Sequence, residues 1–172
     1  FFSNIKNIYN TKAQIVGYTL TVCPSGCLYQ GAGGIQQAIE AAKDGDTILI
    51  QPGTYTSTRP IVVDPNYKYK NCLVDTKGKK ITIKAAGATI DNANGGLNNE
   101  ADQSTGICVL GGEVTIDSVA LKQTLKPAIY IDNARVIIKN ITTIDIDSSS
   151  IDVHNSQVMI LNSVLTGGGM GI

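Results

Sequence analysis

The feature that most constrains this fold is a repeat of about 22 residues in the last third of the chain. The leading isoleucines of three successive segments, Ile107, Ile129 and Ile151, are equally spaced, and Ile172 follows one position earlier than the same spacing would place it. Within each segment apolar residues recur two positions apart, as they do on one face of a β-strand. A fixed period of this length indicates stacked units that share one hydrophobic core.

Equivalent positions of the three segments carry similar residues. The apolar pairs are Val114 and Ile116, Val136 and Ile138, and Val158 and Ile160, while one turn carries Gly111, Asn133 and Asn155 and another carries Ser118, Asn140 and Asn162. Because Asn tolerates left-handed backbone, we expect Asn ladders along the turns. A leucine-rich repeat would need a fixed Leu pattern that is missing, and an immunoglobulin-like sandwich would not keep the register. The period therefore predicts a parallel β-helix.

The segment before the repeats predicts one short amphipathic helix. Ile35, Ala38, Ile39 and Ala42 have the i, i+3, i+4, i+7 spacing of an apolar helical stripe. The run Asp44-Gly45-Asp46 ends this helix, and TILI then predicts a buried strand that leads into a Pro-Gly turn.

The stretch GGIQQAIEAAKDGDTILIQPGTYT resembles the N-terminal entry of the pectate-lyase-like superfamily. In that superfamily a capping helix precedes a Gly-Asp-Thr-Ile strand and a Pro-Gly-Thr-Tyr turn, which correspond here to residues 45–48 and 52–55. The resemblance implies an all-β fold, a right-handed parallel β-helix (solenoid) with a short N-terminal capping α-helix. It also implies structural roles for Asp44, Asp46 and Tyr55, because this entry closes the end of the β-helix.

The two ends of the chain differ in character. We expect residues 1–16, which are polar and rich in Asn and Lys, to form a tail or linker. Residues 17–172 are expected to form the β-helix domain, incomplete at its C-terminal end because Gly171-Ile172 opens a further repeat. Such an edge would be covered by more of the same protein or by self-association through the open C-terminal coil.

Charge and cysteine content bound the partners and the compartment. The chain has 14 Lys and Arg against 14 Asp and Glu, which gives no reason to expect a nucleic acid partner, and no apolar run is long enough for a transmembrane segment. Cys23, Cys27, Cys72 and Cys108 form an even set that allows two disulfides, with a zinc site or free thiols as alternatives. Stacked coils would favour a Cys72–Cys108 bridge. Disulfides would indicate an extracellular or cell-surface location.

A basic group in the middle of the chain is one candidate site. Its members are Tyr67, Lys68, Tyr69 and Lys70, followed by Lys77, Lys79, Lys80 and Lys84. Tyr67, Lys68, Tyr69 and Lys70 are our candidate substrate-binding residues, because lysines would attract an acidic polymer such as a uronan and tyrosines would stack on its sugar rings. The alternative is a solvated loop whose lysines discourage edge pairing.

A second candidate lies in the repeats. The register of the repeats stacks Asp132 on His154 and Tyr130 on Asp152, on an outward strand face. Members of the resembled superfamily bind sugars and calcium on such faces. We therefore name Asp132, Asp152, His154 and Arg135 as candidate catalytic residues and Tyr130 and Lys139 as substrate-binding residues. Calcium is the one cofactor considered, with Asp132 and Asp152 as ligands, although calcium needs several oxygen ligands and the sequence supplies no complete set.

These observations lead to two functional hypotheses. The first is a secreted or surface β-helix domain that binds or processes extracellular polysaccharide, expected to be acidic; as an enzyme it would be a polysaccharide lyase, an epimerase or a glycoside hydrolase. The second is a non-catalytic structural or adhesive module, a stalk or filament subunit. An ice-binding face would need a flat threonine array, and Thr142, Thr143 and Thr166 are not expected to line up.

Overall fold

The computed structural model describes residues 17–57, 62–63, 71–92, 104–124 and 126–167, with only the backbone of 62–63. The tail expected at residues 1–16 and the start of a further repeat after residue 167 lie outside these ranges. The elements are β1 (Thr19–Cys23), β2 (Tyr29–Gln30), α1 (Gly31–Ala41), β3 (Thr47–Ile50), β4 (Gly53–Thr56), β5 (Val62–Val63), β6 (Asn71–Asp75), β7 (Lys80–Asp91), β8 (Thr105–Leu110), β9 (Glu113–Lys122), β10 (Ile129–Asp132), β11 (Arg135–Lys139), β12 (Thr142–Ile144), β13 (Ile151–His154) and β14 (Gln157–Leu161).

The strands form two sheets that wind around one core. The large sheet has nine strands in the order β14-β11-β9-β7-β3-β1-β2, with β12 and β4 added beside β9 and β7, and the small sheet has the order β13-β10-β8-β6-β5. Strand pairs are parallel, apart from the antiparallel pair of β5 and β6. The predicted parallel β-helix with one N-terminal helix is confirmed.

The register between coils is the predicted one. Ile129 lies between Ile107 and Ile151 in the small sheet, and Val136 lies between Val114 and Val158 in the large sheet. Stacking places these side chains in continuous columns inside the β-helix, where most of them are fully buried. Burial of such columns drives folding, since each fully buried Ile or Val contributes about 1.5–3 kcal/mol.

The turns also follow the predicted pattern. Asn133, Asn140, Asn155 and Asn162 have φ values of 52°, 55°, 45° and 47°, in the left-handed region that Asn tolerates. The side-chain amides of two of these residues bond to aspartates, which differs from the predicted Asn ladder. The Nδ2 groups of Asn140 and Asn155 donate to Asp117 and Asp132 of the preceding coil, over 2.9 and 3.4 Å.

Helix α1 closes the N-terminal end of the core. Its stripe of Ile35, Ala38 and Ile39 is fully buried, as predicted. The Lys79 ammonium group donates to the carbonyl oxygens of Ile39, Glu40 and Ala42 at 2.7, 2.8 and 2.6 Å. A cation here adds a charged donor to carbonyls at the C-terminal end of the helix, where Ile39 also accepts from the Ala42 N–H over 3.2 Å, and it complements the helix dipole.

The residues after the helix have the structural roles expected of them. The buried Asp46 carboxylate accepts hydrogen bonds from the backbone N–H groups of Lys43 and Tyr18, and these bonds lower the pKa of Asp46 although burial opposes them. Asp44 accepts from the backbone N–H of Lys80 over 2.9 Å. Tyr55 is buried, and its hydroxyl donates to the Gln51 carbonyl oxygen at 2.9 Å, with the Val22 carbonyl oxygen 3.2 Å away.

Both expected disulfides are present. Cys23 pairs with Cys27, and Cys72 pairs with Cys108 to join the neighbouring strands β6 and β8. Two disulfides indicate an oxidising environment. Within the described ranges no helix has the length and apolar character needed to cross a membrane.

We predict that Gly112→Ala destabilises the fold by about 2–4 kcal/mol. Gly112 has a φ of 79°, and a Cβ there would lie 2.3 Å from the Lys79 carbonyl oxygen. Gly33→Ala is the matched control, because a Cβ at that helical position meets nothing within 4 Å and should stabilise by up to about 1 kcal/mol. Urea unfolding of both variants measures the two effects; equal stability of the variants would contradict the structure.

We also predict that Lys79→Met lowers the free energy of unfolding by about 1–3 kcal/mol, because three carbonyls at the end of the helix lose their charged donor. Lys84→Met, on the exposed outer side of β7, is the control and should change stability by less than about 0.5 kcal/mol. Thermal unfolding under identical conditions compares them. A similar effect of both substitutions would show that Lys79 does not stabilise the helix end.

Candidate functional site

The side of the large sheet that faces away from the core carries three parallel columns of side chains. We call this surface the outer face. The middle column is Thr19, Thr47, Thr82, Thr115, Ile137 and Met159; one flanking column is Lys80, Glu113, Arg135 and Gln157; the other is Leu49, Lys84, Asp117, Lys139 and Leu161. Strand spacing separates successive members of a column by about 4.8 Å. Each coil therefore adds one side chain to each column at a regular spacing.

Charge alternates along both flanking columns. Glu113 Oε1 lies 3.8 Å from Lys80 Nζ and 3.9 Å from Arg135 Nη1, and all three side chains are more than half exposed. Arg135 Nε also donates to Gln157 Oε1 over 3.2 Å. Exposed ion pairs of this length contribute little to stability, so these groups can exchange their partners for a ligand at low cost.

Asp117 is the most enclosed charge on the outer face. Its carboxylate accepts hydrogen bonds from Asn140 Nδ2 at 2.9 Å and Ser118 Oγ at 2.8 Å, and Lys139 Nζ lies 3.3 Å away. Burial by itself would raise the pKa of Asp117, but the hydrogen bonds from Asn140 and Ser118, together with Lys139, outweigh it and lower the pKa. Asp117 therefore stays ionised and holds Lys139 in place.

Two depressions lie on this face. The larger, of about 420 Å³, runs from the Asp44-Gly45 turn across Thr82 and Thr115 to Ile137, and we call it the outer groove. The smaller, of about 300 Å³, lies at the turn beside it and is the corner hollow; its lining is Gly112, Glu113, Asn133, Ala134, Arg135, Asn155 and Gln157. Glu113 and Arg135 line both, so the two depressions form one surface, in which hydroxyl, amide and charged groups surround the apolar side chain of Ile137.

The acidic group predicted from the repeats lies on the small sheet. Tyr130 is paired with Asp152, and Asp132 with His154, as the register predicted. His154 Nε2 lies 2.9 Å from Asp152 Oδ1, and the His154 ring centre is 5.6 Å from that of Tyr130. The structure therefore brings Asp152, His154 and Tyr130 together, with Asp132 two positions along β10 from Tyr130 and paired with His154.

The candidate catalytic residues are distributed over the two sheets. Arg135 begins β11 of the large sheet, where it contacts Glu113 and Gln157, whereas Asp132, Asp152 and His154 lie on the small sheet. The link between them is the turn at Asn155, which donates to Asp132 and also lines the corner hollow with Arg135. Lys139, a predicted substrate-binding residue, lies on the outer face.

The predicted role of Tyr130 needs correction. Tyr130 is on the outer side of its strand, but its side chain is buried and packs with the Cys72–Cys108 disulfide and Leu110. A ring enclosed in this way does not offer a face for stacking on a sugar. The alternation of the strand correctly predicted that Tyr130 points away from the core. It did not predict that Leu110 and the disulfide pack against the ring.

The calcium hypothesis receives no support from these side chains. Among the described residues there is no group of three or more His, Cys, Asp or Glu side chains placed to hold a metal ion. Asp152 is paired with His154, and Asp132 with the Asn155 amide. Because calcium requires about 6–8 oxygen ligands, Asp132 and Asp152 do not fit it, and no step is assigned to a metal.

The basic group has separate roles where the structure describes it. Tyr67, Lys68, Tyr69 and Lys70 lie outside the described residues. Lys77 pairs with the buried Asp75, Lys79 binds the end of α1, and Lys80 and Lys84 belong to the two flanking columns. The described lysines therefore do not form a single basic groove.

Sequence reasoning missed the middle column of the outer face. Thr19, Thr47, Thr82 and Thr115 are unequally spaced along the chain, so no constant period reveals them. Thr143 and Thr166 lie elsewhere, where Thr143 bonds to Thr166 and to Ser150. The charged flanks make the Thr column part of a mixed polar face and not a flat threonine array.

Comparison with protein-family models, with curated proteins and with solved structures finds no match for this chain.

We predict that Asp117→Asn lowers stability by about 1–2 kcal/mol at pH 7 and that this difference shrinks below pH 4. The folded pKa is lowered from the ordinary 3.8, so ionised Asp117 stabilises the fold above that value and loses this contribution as the pH falls through its folded pKa. Glu113→Gln, whose ion pairs are exposed, should change stability little at either pH. Urea unfolding at pH 7 and pH 3 measures both; a pH-independent Asp117→Asn effect would contradict the assignment.

Proposed function

We propose that this chain is a β-helix module that binds extracellular polysaccharide along the outer groove and corner hollow. The observation that carries the proposal is the regular spacing of the outer face, in which hydroxyl, amide and charged groups follow one another at the strand spacing of about 4.8 Å. An extended polysaccharide advances by a similar distance per sugar. Successive sugars would therefore meet successive coils, and the cations of the flanking columns would recur at every second coil.

The side chains of this face suit sugar recognition. Arg135, Gln157 and Asn155 present planar groups that donate or accept two hydrogen bonds, as neighbouring hydroxyls or a carboxylate require. Thr82 and Thr115 add hydroxyls along the middle of the groove, and Ile137 provides an exposed apolar surface for the C–H side of a ring.

Charge favours an acidic polysaccharide over a basic one, by a small margin. Lys80, Lys84, Arg135 and Lys139 supply four cations on this face. Asp44, Glu113 and Asp117 supply three carboxylates. Because each cation stands beside a carboxylate, we expect spaced anionic groups on the ligand to bind better than a dense polyanion.

The parallel β-helix and the entry segment support placement of the chain in the pectate-lyase-like superfamily, and the disulfides support a secreted or cell-surface location. Binding is favoured over processing, because Arg135 is on a different sheet from Asp132, Asp152 and His154. A lyase or hydrolase would need its acid, its base and its charge-neutralising group around one bond.

The test is binding of the purified chain to a panel of soluble uronans and neutral glycans, followed by isothermal titration with the best ligand. We expect Arg135→Ala and Lys139→Ala each to weaken binding by about fivefold, which corresponds to about 1 kcal/mol. Lys122→Ala is the matched control, because Lys122 is at the far end of β9 beside Asp91 and Ile144 and away from the outer groove.

The same incubations decide between binding and processing. Release of unsaturated or reducing sugar that is lost in His154→Ala would establish processing and overturn binding as the main function. Failure of every polymer to bind, or an equal effect of Lys122→Ala and Arg135→Ala, would overturn the proposed face.

A further inference from the structure

The flanking columns of the outer face carry charge of one sign on each strand. The cations and carboxylates are Lys80 and Lys84 on β7, Glu113 and Asp117 on β9, and Arg135 and Lys139 on β11. The register sets the strands in the order β7, β9, β11, so each column has a cation, then a carboxylate, then a cation. The two columns alternate in phase, because both carboxylates belong to the middle strand.

The outer groove follows one of these columns, that of Lys80, Glu113 and Arg135. Asp44 lies at its beginning and accepts a hydrogen bond from the backbone N–H of Lys80 over 2.9 Å. One side of the groove is therefore lined in turn by a carboxylate, an ammonium group, a carboxylate and a guanidinium group. The side chains of Lys80, Glu113 and Arg135 are 58%, 52% and 65% exposed, so all three charges can contact a ligand.

The two cations of this column are separated by two strand spacings, which is about 9.6 Å. An extended polysaccharide advances by about one strand spacing per sugar, so the separation corresponds to a disaccharide. A glycan with one carboxylate in each disaccharide would place successive carboxylates against Lys80 and Arg135. The sugar between them would lie against Glu113, whose carboxylate accepts hydrogen bonds from hydroxyl or amide N–H groups.

We propose that the outer groove selects a polysaccharide in which a uronate alternates with an uncharged sugar. The inference rests on the proposed function, and it adds the charge pattern of the ligand. A homouronan carries a further carboxylate on the sugar between the two cations, and this carboxylate lies closer to Glu113 than to Lys80 or Arg135. Like charges placed together across an interface disfavour a ligand that would otherwise gain from the cations.

The test compares two sets of oligosaccharides with the same number of sugars by isothermal titration. Unsulfated chondroitin oligosaccharides alternate a uronate with an uncharged N-acetylated sugar, and oligogalacturonates carry a carboxylate on every sugar. We expect the chain to bind the alternating ligand about fivefold more tightly. Glu113→Gln removes the repelling charge, so it should strengthen oligogalacturonate binding more than chondroitin binding and reduce the preference to about twofold or less.

Asp147→Asn is the matched control, because it makes the same change in net charge at an exposed position that lines neither depression. It should leave the preference for the alternating ligand unchanged. An equal effect of Glu113→Gln and Asp147→Asn on this preference would overturn the inference, since the preference would then depend on net charge alone.

The remaining outcomes separate this inference from the proposed function. Equal affinities for the two ligands, or tighter binding of oligogalacturonate, would overturn the alternating pattern; if Arg135→Ala still weakens both complexes, the binding face itself stands. Binding of uncharged glycans alone would have the same meaning. If no glycan binds, the proposed function fails, and this inference fails with it.

Discussion

The structure depends on one constraint, the parallel register that stacks each coil on the one before it. Because parallel strands in this register place Ile129 between Ile107 and Ile151, the apolar side chains form columns that no single coil could bury alone. The register is maintained only if the turns between strands have the same backbone conformation in each coil. Asn133, Asn140, Asn155 and Asn162 meet that requirement by adopting left-handed backbone, and two of them tie their coil to the previous one through aspartates.

The same register creates the candidate binding surface. Stacking that aligns the core also aligns whatever points outward, so charges that are far apart in the chain become neighbours in a column. Glu113 lies between Lys80 and Arg135, and Asp117 between Lys84 and Lys139. The exposed ion pairs add little stability, and their value is an ordered array of partners for a polymer that repeats at the strand spacing. In the last described coil, Gln157 and Leu161 of β14 stand beside Arg135 and Lys139 of β11.

The regular coils could be predicted because their period is constant. The equal spacing of Ile107, Ile129 and Ile151 placed Tyr130 beside Asp152 and Asp132 beside His154, and both pairs are found. Earlier coils have unequal lengths, so the separation of Lys80 from Glu113 gave no signal, and the Thr column was missed. Lys79 illustrates a further limit. Its three hydrogen bonds join it to residues at the end of α1 that precede it by some 40 positions in the chain, and the spacing of residues in the sequence does not predict such a contact. The burial of Tyr130 was hidden for the same reason.

The amino-acid sequence by itself determined the class of fold, the inward residues of the last three coils, their turns and the capping helix, and it favoured the Cys72–Cys108 pairing that the structure contains. These follow from alternation, from a constant period and from backbone preference, which are local or strictly repeating properties. Only the tertiary structure decided which outward residues share a face, which side chains are covered, and that Arg135 is separated from Asp152 and His154. The physical reason is that outward positions carry no burial requirement, so their neighbours are set by the length of each coil and by how the coils close around the core.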